Sequence, residues 1–127
     1  MKIAILGSGG REHAIAYAIS KSKKIEKIFC LPGNAGTDII AENIIIDINN
    51  FEQVYNFLKK EKIDFVVVGP EQPLVDGIVD YLQKFNIKVF GPNKMSSQLE
   101  GSKIFTKNLC KKYNIPTADF GTFKTKE

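Results

Sequence analysis

Short apolar runs, too brief to be helices, recur along this chain with segments of helical period between them. The runs are Ile3–Leu6, Lys27–Leu31, Asn43–Asp47, Phe65–Val68 and Val89–Phe90. Helices are expected over Glu12–Ser20, Phe51–Lys60, Pro73–Phe85 and a stretch from about Lys94 to Tyr113. Phe51, Val54, Tyr55 and Leu58 fall three or four residues apart or adjacent on one face, as do Leu74, Ile78, Tyr81, Leu82 and Phe85, which makes them core positions. This alternation leaves few solutions. It predicts an α/β fold: a Rossmann-like, mainly parallel sheet with helices on both faces. Phe65–Val68, apolar at every position, reads as a central strand. Between Leu31 and Thr37 the chain carries Pro32, Gly33 and Gly36, so the second and third strands are joined by an irregular connection.

In such sheets ligands bind outside the carboxyl ends of the strands. Three loops lie there: GSGGRE after the first strand, PGNAGT after the second and GPEQPL after the fourth. All are rich in glycine, proline or small polar residues, which lets backbone approach a ligand closely. The opening KIAILGSGGREHAIAYAI runs strand, glycine turn, helix, and so aims N–H groups and a positive helix end at one spot. A dinucleotide, another phosphorylated ligand and a merely tight turn are all compatible with that order. The dinucleotide fingerprint asks for a third small residue and an acid at the end of the second strand. Gly7 and Gly9 fit, but the third position is Glu12, and the second strand runs into Cys30, Leu31, Pro32 and Gly33 with no acid. A nicotinamide or flavin site is therefore disfavoured.

Of the 18 basic residues only one, Arg11, is an arginine, and it follows the glycines directly. Its planar fork suits a phosphate or carboxylate, although an ion pair with a nearby acid is the plainer alternative. The lysines behind the net charge of +4 are scattered over every segment, so neither a nucleic-acid patch nor a membrane-binding face is expected. No apolar run approaches membrane-spanning length, and no secretory leader pattern precedes the first strand. Cys30 and Cys110 lie far apart without metal-ligand spacing and read as reduced, mostly buried thiols. His13, the single histidine, sits at a helix start and reads as structural.

The stretches GSGGREHA (Gly7–Ala14), PGNAGT (Pro32–Thr37), VVGPEQPLVDGIVDYL (Val67–Leu82) and VFGPNKMSSQLEGSKIFTKNLCKKYNIPTADF (Val89–Phe120) together resemble the amino-terminal part of the phosphoribosylamine–glycine ligases. These are the glycinamide ribonucleotide synthetases of purine biosynthesis. The resemblance covers nearly the whole chain, with one conservative departure at Met95, Ser96 and Ser97, where the family more often has small residues with alanines. It implies the Rossmann-like N-domain that precedes an ATP-grasp domain, over residues 1–100. Residues 101–127 would be a linker helix and the first strand leading into that further domain. The chain is thus expected to be truncated before the ATP-grasp domain and inactive alone; IPTADFGTF followed by the polar KTKE favours this over a stand-alone nucleotide-binding or regulatory module.

For the full-length enzyme the resemblance implies an ATP-dependent ligation. Glycine is activated as an acyl phosphate and attacked by the amine of 5-phosphoribosylamine, with Mg²⁺ or Mn²⁺ assisting. No cofactor is expected on these 127 residues themselves, and a cytoplasmic monomer is expected. The expected substrate-binding residues are Gly9, Gly10, Arg11, Asn34 and Glu71. Asn34 serves equally well as a cap of its own turn. Glu71 serves either a ribose hydroxyl or substrate amine, or the start of the following helix; Asp76 and Gly77 are weaker candidates near it. Lys103 and Lys107, four apart on one helix face, match the place of an ATP-contacting lysine in the family, or else are simply solvated.

Overall fold

In the computed structural model, residues 1–121 and 123 are described. The elements run β1 (Lys2–Gly7), α1 (Gly10–Ser20), β2 (Lys27–Pro32), a 3₁₀ turn (Thr37–Ile39), β3 (Glu42–Asn43), α2 (Phe51–Glu61), β4 (Phe65–Val68), α3 (Glu71–Asp76), α4 (Ile78–Gln83), β5 (Val89–Phe90), α5 (Lys94–Gly101) and α6 (Lys103–Lys112). The five strands form one sheet of order β3-β2-β1-β4-β5, with every pairing parallel. The middle strand is therefore β1. Phe65–Val68 lies beside it, between β1 and β5 and buried on both faces, as its reading as a central strand predicts.

Alternate residues of β1 point to opposite faces. Ala4 and Leu6 enter a core with Phe29, Leu31, Val66 and Val68, closed by Val54 and Leu58 of α2 and by Leu74, Ile78, Val79 and Leu82 of α3 and α4. Ile3 and Ile5 enter a second core with Ile28, Cys30 and Val67, closed by Ala16 of α1 and flanked by Ile15 and Ile19. The sheet is thus covered on both faces, as the alternation predicts.

Three expectations need correction. The third strand was expected over Asn43–Asp47 but occupies Glu42–Asn43, paired with Phe29 and Cys30. The next position of β2 that points toward it is Pro32, which has no N–H to continue the ladder. The Ile44 N–H still donates to Cys30 O at 2.9 Å, but beyond it Ile46 and Ile48 pack on the core outside the ladder. The helix expected over Pro73–Phe85 begins earlier, at Glu71, and is broken at Gly77, whose φ of +100° ends α3 in the left-handed region. The periodicity runs through the break because both pieces face the same core. The helix expected from Lys94 to Tyr113 is likewise two, parted at Ser102, whose extended backbone caps α6 with a hydroxyl accepting from the Phe105 N–H.

No regular structure forms over residues 115–121; a strand needs a neighbour to pair with. The KTKE stretch lies outside the described residues. Cys30 is buried, whereas Cys110 is only partly so.

Candidate functional site

Strand order reverses between β1 and β4, and the loops leaving their carboxyl ends part to form an open cleft of about 440 Å³. Ser8 to Glu12 line one side, Gly69 and Pro70 the other. Gly9 is extended (φ −89°, ψ −179°) and α1 begins at the next residue. The first amide with a carbonyl one turn back is that of His13, which donates to Gly9 O at 3.1 Å. The Gly10, Arg11 and Glu12 N–H groups have no such partner, and the positive end of the helix faces the cleft.

Glu12 is the residue whose role composition and spacing did not expose. Its side chain is only 5% exposed and turns back under the loop, where Oε2 accepts the Gly9 N–H at 2.6 Å. This is half of a capping box, with glycine in place of the usual hydroxyl residue. A Cβ at Gly7 would fall 2.7 Å from Glu12 Cγ, one at Gly9 2.8 Å from Oε2, and one at Gly69 would overlap the carboxylate outright. Three glycines in two loops thus make room for a carboxylate of their own chain. The sequence signal was available in the Gly9-to-Glu12 spacing, but glycine at the cap position masked it. Gly10 differs: nothing stands within 4 Å of where its Cβ would be, so it faces open space.

The Arg11 side chain crosses the cleft and its Nη1 donates to Gly69 O at 2.8 Å. Its partner is a carbonyl and not an acid, so the ion-pair alternative does not hold among the described residues. The contact ties the first loop to the fourth and leaves guanidinium N–H groups over the cleft.

The second loop is held by Asn34. Its Nδ2 donates to Ser8 O (2.8 Å) and Gly9 O (3.2 Å), and its Oδ1 accepts from Gly36 N (2.8 Å) and Thr37 N (3.0 Å). Both ends of the amide are engaged, so its structural work is to cap its own turn and brace the first loop. Thr37, fully buried, donates to Asn43 Oδ1 at 2.7 Å, and Asn43 Nδ2 donates back to Asn34 O at 2.8 Å. The His13 ring packs against Gly36, where a Cβ would fall 2.7 Å from His13 Cε1.

Glu71 stands apart from this cluster. It is exposed, opens α3, and borders a separate recess of about 270 Å³ with Leu74, Val75 and Pro92. Lys103 and Lys107 share the rim of a third recess, of about 170 Å³, with Leu99 and Thr117. There the Lys107 Nζ donates to Thr117 Oγ1 (2.6 Å) and Ala118 O (3.0 Å). The structure therefore brings Gly9, Gly10, Arg11 and Asn34 together and leaves Glu71 and the two lysines in other recesses. Among the described residues no group of three or more His, Cys, Asp or Glu side chains is placed to hold a metal ion, and no helix is long and apolar enough to cross a membrane.

Residues 1–100 match the family model described as "Phosphoribosylglycinamide synthetase, N domain". The chain is 53% identical over 123 residues to a phosphoribosylamine–glycine ligase of Mesorhizobium japonicum, covering 97% of this chain and 29% of that protein. It is 46% identical over 127 residues to one of Clostridium acetobutylicum, covering 100% and 30%. Among solved structures, the phosphoribosylamine–glycine ligase of Thermotoga maritima superposes with a TM-score of 0.66 at 33% identity, over 94% of this chain and 26% of that one. The chain thus spans about 30% of the length of the curated relatives it matches.

Proposed function

Because the chain belongs to the phosphoribosylglycinamide synthetase N-domain family, we propose that it supplies the sugar-phosphate seat of a ligase that joins 5-phosphoribosylamine to glycine. In that reaction ATP phosphorylates the glycine carboxylate. The amine then attacks the acyl carbon, forming the amide and expelling phosphate, a far better leaving group than a carboxylate oxygen. The parts that handle ATP, Mg²⁺ and glycine lie in the stretch of the relatives beyond residues 1–100, with residues 101 onward leading toward it. These residues alone then perform no ligation. The enzyme works in the cytoplasm, on small molecules and as a monomer.

What carries this reading is the cleft at the point of strand-order reversal. There the unpaired Gly10 and Arg11 N–H groups and the Arg11 guanidinium converge, with no acid paired to that guanidinium among the described residues. Three donors of this kind suit the phosphate of a sugar phosphate. Asn34 holds the loop behind them. Glu71, which opens α3 directly after Pro70, would meet the sugar or its amine from the adjoining recess. Lys103 and Lys107 belong to the side facing the ATP-handling part, Lys103 being the freer of the two.

An amide NMR titration with glycinamide ribonucleotide, with NAD and Mg-ADP as controls, tests the assignment. Shifts confined to Gly7–Arg11, Gly33–Gly36 and Gly69–Glu71 are expected, and Arg11→Ala should weaken binding by about tenfold or more, the loss of a charge-assisted contact. Equal shifts with NAD, or binding indifferent to Arg11, would sink it.

A further inference from the structure

Dinucleotide-binding turns place a small residue on the helix so that helix and strand can close up and the diphosphate can rest on the first glycines. Here the arrangement is inverted. The helix carries a glutamate, and the strand ends carry the glycines that receive it: Gly7 at the end of β1 and Gly69 at the end of β4. The carboxylate lies between them, 5% exposed, and takes up the Gly9 N–H at 2.6 Å. The inner seat of the turn is therefore filled by the chain itself. Only the outer donors remain, the Gly10, Arg11 and Glu12 amides at the helix end and the Arg11 guanidinium, which gather about one spot and so suit one phosphate rather than two in succession.

We propose that Glu12 is the specificity-determining positioning residue of this cleft. By filling the space between Gly7 and Gly69 and holding the Gly9 N–H, it makes the turn a seat for a single phosphate and closes it to a diphosphate. The inference deepens the reading above and rests on it for the identity of the preferred ligand. Glu12 touches no reacting atom; it acts through the loop.

The test compares the intact 127-residue chain with Glu12→Gly and Glu12→Gln, measuring dissociation constants for glycinamide ribonucleotide and for NAD. Dispersed amide spectra serve as the check of folding. The parent chain should favour the ribonucleotide by about tenfold or more, and Glu12→Gly should lower that preference by about tenfold. Glu12→Gln keeps the volume and an oxygen for Gly9, and should stay within about threefold of the parent. If Glu12→Gly does not fold, Glu12→Ala, a better helix former, takes its place. A loss of stability alone would not change a ratio of two ligands.

A folded Glu12→Gly with the parent preference, or a Glu12→Gln that loses it equally, overturns the inference and leaves the proposed function standing. A parent chain that ignores the ribonucleotide while Glu12→Gly gains NAD binding sinks the proposed function and upholds the inference. If neither ligand binds any of the proteins, both fall.

Discussion

The two faces of the sheet are covered very differently. Under α2, α3 and α4, twelve residues are buried together, with rings such as Phe51, Tyr55 and Phe57 packed around them. Under α1, among the described residues, only six are, and a single apolar residue of the helix, Ala16, is buried among them. The inward stripe of α1 begins one turn earlier with the carboxylate of Glu12. On the same face as Val67, its partner Phe90 is 67% exposed. The first helix thus uses its inner side to set the shape of a loop, and the opposite face supplies most of the apolar burial that holds the sheet. Stability and site geometry sit on opposite sides of one layer of strands.

The largest test of that contrast is paired truncation. Leu82→Ala, on the thick face, should cost about 3–4 kcal/mol, whereas Ile19→Ala, half-buried over the thin face, should cost less than about 1.5 kcal/mol, read as urea midpoints at unchanged slope. Equal costs would break the comparison.

A smaller effect sharpens it. Gly69→Ala pushes a methyl into the Glu12 carboxylate and should cost about 2 kcal/mol, an overpacking penalty. In a Glu12→Gly background the same change should be nearly free, because the occupant of that space is gone. Costs that simply add would mean that Gly69 is a glycine for another reason.

The smallest effect lies beneath α1. Burial, partly offset by the Thr37 hydrogen bond, pushes the Cys30 thiol above its ordinary value of 9.0. The unfolded chain ionises first, so the stability owed to the neutral thiol is whole below that value and drains away as pH climbs toward the raised one. Unfolding curves of the parent and of Cys30→Ala should accordingly draw together as pH rises above that ordinary value, and a gap independent of pH would contradict the assignment.

Much of this architecture is legible in the amino-acid order. Strands β1, β2 and β4 show as apolar runs because the interior of a parallel sheet is buried on both faces, β5 shows as a short apolar pair at the edge, and the cleft is announced by loops whose glycines cluster at one edge. Other features depend on geometry that periodicity does not carry. Ile44, Ile46 and Ile48 look like a strand, yet the proline opposite ends their pairing. Leu74 and Ile78 keep helical spacing across a left-handed Gly77. At the site, Arg11 reads as a free anion clamp, and only the folded chain reveals the Gly69 carbonyl as its partner. Glycines invite the idea of a visiting ligand; Gly7 and Gly69 turn out to accommodate a resident one.

The central place of β1 also orders events in time. Of the five strands it is the first to leave the ribosome, and its two neighbours are the second and the fourth. Until Val68 has emerged, one flank of Ile3–Leu6 has no strand to pair with, and a chain paused between β2 and β4 presents an open apolar edge to whatever is near. The long interval between Pro32 and Phe65 is therefore the hazardous passage of synthesis. Slow translation there should yield more aggregated product than an equal delay placed after β4.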